Sequence, residues 1–276
     1  MNDPVNHPGK LELNVISNEN CLDTMARMPD GLIDLTVTSP PYDNLRDYNG
    51  YSFDFEAIAA ELYRVTKPGG VVVWVIGDST VKGSESGSSF RQALYFKELG
   101  FNLHDTMIYA KNNPIPQNHN RYEQSFEYMF VFSKGKPSTF NPIKEPTKSA
   151  GAVMDWGNRK TIMDKNQARR HRGTDLKITN DTKNRKNIFF YSVGGGKTGH
   201  PATFPEQLAA DHIITWSNKG DIVYDPFMGS GTTAQLAQMT GRNYLGSEIS
   251  GDYVTISKNR LSKAQSIEPS HLEFDS

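Results

Sequence analysis

The chain has 276 residues, enough for one large α/β domain carrying an inserted module or for two small domains. At 36% hydrophobic and 22% charged residues it has an ordinary globular make-up, and a net charge of −1 excludes a uniformly basic nucleic-acid binder, so any DNA-contacting surface must come from uneven charge distribution. One cysteine, Cys21, excludes an intrachain disulfide framework and a cysteine-rich zinc site, and fits a reducing compartment.

Met1–Lys10 is polar, with no apolar signal-peptide core, and this points to a cytoplasmic protein. Residues 11–16 and 32–37 read as short strands, and Leu22, Met25, Ala26 and Met28 form a short helix between them. The second strand runs into Thr38-Ser39-Pro40-Pro41-Tyr42. Proline fixes φ and has no N–H, so the carbonyls of Ser39 and Pro40 can be held pointing inward as acceptors while Tyr42 offers a stacking face. A hydroxyl, two rigid prolines and an aromatic ring at a strand end can make a slot for a flat, amine-bearing ring. That suits chemistry on the exocyclic amine of a nucleobase.

Residues 54–66 read as an amphipathic helix, with Phe55, Ile58, Ala59 and Leu62 at i, i+3, i+4 and i+7. Lys67-Pro68-Gly69-Gly70 stops it. Val71–Ile76, the longest apolar run, is far short of the ~20 residues that span a bilayer and reads as a parallel strand buried on both faces. Residues 88–99 form another helix closed by Gly100, and 103–110 and 126–133 are further strands. Strands separated by helices argue for an α/β fold, a Rossmann-like, doubly wound and mostly parallel sheet.

From about residue 141 to 190 apolar residues become sparse. This stretch holds twelve Lys and Arg against five Asp and Glu, a net of +7 in a chain whose total is −1. Composition alone admits a solvated loop. The functional reading is a DNA-contacting insert, with Arg159, Lys160, Arg169, Arg170, Arg172, Lys183 and Arg185 on phosphates or base edges.

Farther along, Ile222-Val223-Tyr224 is a short strand ending at Asp225. The turn Gly229-Ser230-Gly231 leads into a helix from Thr232 to Thr240, and a second strand, Tyr244–Ser247, ends in Glu248. The acid falls 17 residues after the last glycine of the turn, close to the ~20 expected of a residue that accepts from ribose hydroxyls. Gly229, Gly231 and Ala234 also satisfy a loose dinucleotide pattern, so NAD is formally admitted. An acid just before the turn would repel a pyrophosphate, however, and suits a cofactor with a cationic group. S-adenosylmethionine fits, with its ammonium near Asp225, its ribose on Glu248 and its sulfonium facing the Ser39–Tyr42 slot.

Together these residues resemble the amino-methylating DNA methyltransferases, whose members have an (Asp/Asn/Ser)-Pro-Pro-(Tyr/Phe) motif and a D-P-F-x-G-S-G-T cofactor motif, here Asp225–Thr232. His200-Pro201-Ala202-Thr203-Phe204-Pro205 is similar to the family's H-P-A-x-F-P element, and Arg242–Ile249 to its R-x-Y-x-G-x-E-I strand. The catalytic motif comes first, which looks like the β arrangement of the family. The resemblance implies a catalytic half at 11–140, a target-recognition insert at 141–194, a cofactor half at 195–262 and a tail at 263–276. It implies Ser39, Pro40, Pro41 and Tyr42 as the base slot. Asp225, Phe227, Gly229, Gly231, Thr232 and Glu248 become cofactor contacts, with His200, Pro201 and Phe204 at the methionine end. Asn20-Cys21 stands where many members have an acid just before a small residue, the acid accepting from the adenine amine. An Asn oxygen can still accept that bond, whereas Cys21 reads as a packed thiol.

The implied activity is methyl transfer from S-adenosylmethionine to a flipped base in double-stranded DNA. In this family Ser-Pro-Pro leans toward cytosine N4 and Asp-Pro-Pro toward adenine N6. A hydroxyl can donate to cytosine N3, which a carboxylate cannot, although adenine N1 could accept the same bond. Adenine is therefore the alternative, and a non-catalytic DNA-binding module is the alternative of another class. A cognate restriction endonuclease and a second copy of the chain are partners the family admits. His104, His119 and His171 show no metal-ligand spacing. Asp78 reads as a helix cap or a cleft residue, and Tyr128 as core.

Overall fold

The computed structural model describes residues 12–41, 53–114, 116, 120–155, 176–192 and 205–264. In chain order its elements are β1 (Val15–Ser17), α1 (Cys21–Ala26), β2 (Ile33–Thr38), α2 (Phe55–Val65), β3 (Thr66–Ile76), β4 (Thr80–Val81) and β5 (Ser84–Glu85). Then come α3 (Ser88–Glu98), β6 (Asn102–Lys111), β7 (Phe126–Ser133), β8 (Lys144–Pro146), β9 (Val153–Asp155), β10 (Leu176–Ile178) and β11 (Thr182–Asn184). The last are β12 (Ile188–Tyr191), α4 (Glu206–Trp216), β13 (Ile222–Asp225), α5 (Thr232–Met239), β14 (Asn243–Ser247) and α6 (Gly251–Leu261). The chain divides into two compact units, Met1–Asn141 with Asn187–Ser276, and Pro142–Lys186.

The larger unit is built on an eight-stranded sheet of order β1-β14-β13-β2-β3-β7-β6-β12. Every neighbouring pair is parallel except those of β7, which runs antiparallel to both β3 and β6. This is the doubly wound, mostly parallel sheet that alternating strands and helices imply. Its centre is dry because Val71–Ile76 has apolar side chains on both faces, each at most 1% exposed. Val72, Trp74 and Ile76 join the cluster formed with Ile58 and Leu62 of α2 and Phe96 of α3. The Trp74 indole N–H donates to Gln92 Oε1 at 2.8 Å, so its one polar atom is satisfied inside that cluster.

Lys67-Pro68-Gly69-Gly70 ends α2 as expected, but it does so as the bulged start of β3. Ile33 pairs with Thr66 and Leu35 with Val71, so the extra residues loop out of register. Gly69 sits at φ +82, where a Cβ would lie 3.2 Å from Ser138 N and 3.3 Å from Lys136 O, so only glycine fits without strain.

Two boundaries differ from the sequence reading. The first strand begins at Val15 rather than residue 11. Ile188–Tyr191, assigned above to the 141–194 insert, is β12, the edge strand of the large sheet, parallel to β6. Its burial alternates, with Phe189 and Tyr191 inside. Four residues of alternation after a basic stretch are too few to stand out in sequence, and the partner strand that gives them meaning lies some eighty residues earlier. The Pro142–Lys186 unit holds two antiparallel pairs, β8 with β11 and β9 with β10.

Candidate active site

Parallel strands open their C-terminal ends together, and a crevice forms where the strand order reverses. Here that point lies between β13 and β2. From β13 the chain goes through α5 to β14 on one side, and from β2 it goes through α2 to β3 on the other. The residues that follow these two strands are Ser39-Pro40-Pro41 and Pro226–Gly231, so two motifs far apart in sequence leave neighbouring strand ends. Ser39 and Pro41 are half-buried and Pro40 is buried. Tyr42 lies outside the described residues, as do His200, Pro201 and Phe204.

The glycine turn is close-packed. Gly231 has φ +86, and a Cβ there would come 2.6 Å from Ser257 Cβ and 3.0 Å from Ser257 Cα of α6. Ser230 and Thr232 beside it are buried. Arg260 of α6 ties the turn down, donating to Thr232 Oγ1 at 3.0 Å and to Ser230 Oγ at 3.4 Å while also bonding Gln235 and Glu206. Phe227 meets Phe53 and Trp74 edge to face, at 5.7 and 6.2 Å between ring centres, so one edge of the turn is aromatic.

Glu248 follows β14 and accepts from Gly229 N–H at 2.8 Å on Oε2 and from Ser250 N–H at 2.8 Å on Oε1. Burial pushes its carboxyl up, against the pull of those amides. With the Ile249 amide as a third donor, about one of the roughly four acceptor positions of the carboxylate remains, and the side chain is only half-buried, so it fits a ligand hydroxyl.

Asp225 is placed differently from the sequence expectation. It is 1% exposed, and its Oδ1 accepts from the Thr38 hydroxyl at 2.6 Å and from Phe227 N–H at 3.0 Å, while its Oδ2 accepts from the Thr233 hydroxyl at 2.8 Å. Burial pushes its carboxyl up to about 6, and the three donors offset only part of that rise. The expected open carboxylate for an ammonium group is thus closed over by protein donors. Thr38 and Thr233 escaped the sequence reading. The signal was a hydroxyl at each position, next to the two motifs, but nothing local shows that both point at one acid.

Asn20 caps α1, its Oδ1 accepting from Leu22 N–H at 2.9 Å. Cys21 is buried, and burial pushes its thiol up to about 12, so it is a packed, unreactive side chain. Asp78 accepts from Ser86 Oγ, Ser88 Oγ and both the N–H and Oγ of Ser89, which anchors the start of α3 as a cap. Tyr128 is half-buried, stacked on Phe130 at 5.2 Å. In the smaller unit Lys183 pairs with Glu145 at 2.9 Å, and Arg185 N–H donates to Ile143 O across the strand pair. Arg159, Lys160, Arg169, Arg170 and Arg172 lie outside the described residues. Among the described residues no group of three or more His, Cys, Asp or Glu could hold a metal ion, and no helix is long and apolar enough to cross a membrane.

The DNA methylase family model, N6_N4_Mtase, matches residues 33–259, which spans both motifs and the insert between them. The chain belongs to this family of DNA methylases. It is similar to the orphan methyltransferase M.BamHII of Bacillus amyloliquefaciens, 56% identical over 246 residues, covering 84% of this chain and 89% of that one. Among solved structures, the PvuII DNA methyltransferase (cytosine-N4-specific) shares the fold, with a TM-score of 0.64 at 21% identity over 89% of this chain and 85% of that one. The M1.HpyAVI–SAM complex gives a TM-score of 0.58 at 24% identity over 89% and 98%. The methylase is therefore a DNA methyltransferase of the N4/N6 amino-methylating type, and the reversal between β13 and β2 lies at the heart of its sheet.

Proposed function

We propose that this methylase transfers a methyl group from S-adenosylmethionine to the exocyclic N4 amine of cytosine in duplex DNA. The observation that carries the reading is the adjacency of β2 and β13, which sets the end of Ser39-Pro40-Pro41 beside the Asp225–Gly231 turn. When bound, the cofactor supplies an electrophilic methyl on a sulfonium. Glu248 would accept from its ribose hydroxyls, and Phe227, Gly229, Gly231 and Thr232 of the turn would hold it. His200, Pro201 and Phe204 take the methionine end.

The target base leaves the stack and enters the slot. There its amine hydrogens donate to the Ser39 hydroxyl oxygen and the Pro40 carbonyl, which draws the nitrogen toward a tetrahedral, nucleophilic shape. Tyr42 holds the ring by stacking. No strong base is required before attack: as the N–CH3 bond forms the S–CH3 bond breaks, S-adenosylhomocysteine leaves, and the methylated, now acidic amine loses its proton to solvent. Most of the acceleration comes from orientation and fixed dipoles.

Ser39 favours cytosine, since its hydroxyl can also donate to N3 of the ring. The basic segment contributes Arg159, Lys160, Arg169, Arg170, Arg172, Lys183 and Arg185 to DNA, and its net charge of +7 is what supports that role. The 56% identical relative is an orphan methyltransferase, which favours a methylase that does not serve a cognate endonuclease.

Mass spectrometry of nucleosides from unmodified DNA incubated with the protein and S-adenosylmethionine tests the reading. N4-methylcytosine is the expected product. N6-methyladenine would keep the mechanism and remove Ser39 as the determinant of the base. No modified nucleoside on DNA of diverse sequence would overturn the assignment.

A further inference from the structure

Thr38, Asp225 and Thr233 form a dry cluster at the join of the two motifs, exposed by 0%, 1% and 1% respectively. Asp225 stands just before the glycine turn and Thr233 just after it, on the second residue of α5. Thr38 is the residue before Ser39. The Thr38 hydroxyl reaches Asp225 Oδ1 at 2.6 Å, and the Thr233 hydroxyl lies 2.8 Å from Asp225 Oδ2 and 3.3 Å from the Val37 carbonyl. Both ends of the cofactor turn are thereby tied to the last two residues of β2. Ser39 starts where that tether stops.

We propose that Asp225 is a positioning residue that acts through Thr38, fixing where Ser39-Pro40-Pro41 stands relative to the cofactor turn, and that it is not the counter-charge of the cofactor's ammonium group. The inference rests on the methyltransferase reading. Its physical ground is that in-line transfer depends on the separation and angle of two groups carried by different strands, and a misplacement of ~1 Å can cost ~100-fold in rate. A pair of valines would fill this volume without burying a carboxylate. A carboxylate with three neutral donors instead gives a directional link between the turn and the strand end. An ammonium partner needs an exposed acceptor, and this side chain is 1% exposed with three of its roughly four acceptor positions filled.

Thr38→Val keeps the shape and removes the tether, and Asp225→Asn keeps it. The Asn oxygen can accept from Thr38 and Phe227 as Oδ1 does, and its NH2 can donate to the Thr233 oxygen. The expected result is that Thr38→Val lowers kcat for methylation by ~10-fold or more, while the Kd for S-adenosylmethionine, by calorimetry, moves by less than ~3-fold. Thr38→Ser should restore most of kcat. Asp225→Asn should hold its Kd for the cofactor within the same ~3-fold, because no ion pair is lost.

Two results would overturn the proposal: an unchanged kcat in Thr38→Val, or a loss of more than ~10-fold in cofactor affinity in Asp225→Asn, which is what an ammonium counter-charge implies. Amide hydrogen exchange at Ser39, the one residue of Ser39-Pro40-Pro41 with a backbone N–H, gives a readout that needs no activity. It should quicken in Thr38→Val while β13 and α5 keep their protection, and unchanged exchange there would also sink the tether. If the wild-type protein leaves DNA unmodified, the functional reading fails on its own, and the exchange measurement still decides whether Thr38 holds the slot.

Discussion

The sheet unit and the Pro142–Lys186 unit of this methylase are built on opposite terms. In the sheet, β3 has six consecutive apolar residues that are almost wholly buried, and the helices beside it add Ile58, Leu62 and Phe96 to the same core. In the small unit no described side chain from 142–152 or 179–186 is buried, and its strands are three residues long. Strand pairs of that length are marginal in water. The charges described there, Lys144, Lys148, Lys183, Arg185 and Lys186 against Glu145 and Asp181, are none of them buried and are screened by solvent, whereas inside the sheet each would meet a desolvation penalty.

The largest effect should come from the sheet unit. Gly231→Ala forces a Cβ against Ser257 and a positive φ on a non-glycine residue, so methylation should fall by ~100-fold or more, with lower cofactor affinity and a lower Tm. Wild-type activity in this variant would mean that the turn does not cradle the cofactor.

Next is the core itself. Trp74→Ala removes a fully buried indole that also bonds Gln92, and should cost about 3–5 kcal/mol by chemical denaturation. A cost near 1 kcal/mol would show a core able to collapse around the gap.

A third test uses pH. His212 of α4 is fully buried beside Met129 and Phe189, and burial pulls its pKa from 6.5 down to about 3. A base whose folded pKa is depressed contributes stability above its unfolded pKa and loses it as pH falls toward the folded one. Unfolding free energy should therefore drop between about pH 6.5 and 3, and His212→Leu should flatten that slope. An equally steep slope in the variant would assign the acid limb to other groups.

The smallest stability effect belongs to the small unit. Lys183→Ala breaks an exposed pair with Glu145, so the unfolding midpoint should be indistinguishable from that of the wild type. If Lys183 meets a phosphate, the slope of log K against log salt for DNA binding should shrink by about 1. An unchanged slope would take Lys183 off the DNA and weaken the contrast between the units.

What could be read from the sequence follows a pattern. The strands at 32–37 and 126–133, the helix at 54–66 and the glycine turn were all legible, because apolar periodicity and glycine punctuation are properties of a few adjacent residues. Edge strand β12 was not, since its four residues are a strand only against β6. Asp225 is legible at a strand end, but the donors around it are not. Its neighbours there are hydroxyls at positions 38 and 233, and whether a carboxylate faces an open crevice or a sealed cluster depends on those.

By itself, then, the sequence determined the fold class, the family and the order of its two motifs, because each is encoded in short stretches whose chemistry is local. Only the tertiary structure decided that β13 and β2 are neighbours and that Thr38 and Asp225, 187 residues apart, share a hydrogen bond. It also decided that this carboxyl is dry enough to be pushed up to about 6. Hydrogen bonds and desolvation act through space over a few ångströms, and no spacing along a chain can specify which distant side chain will fill that distance.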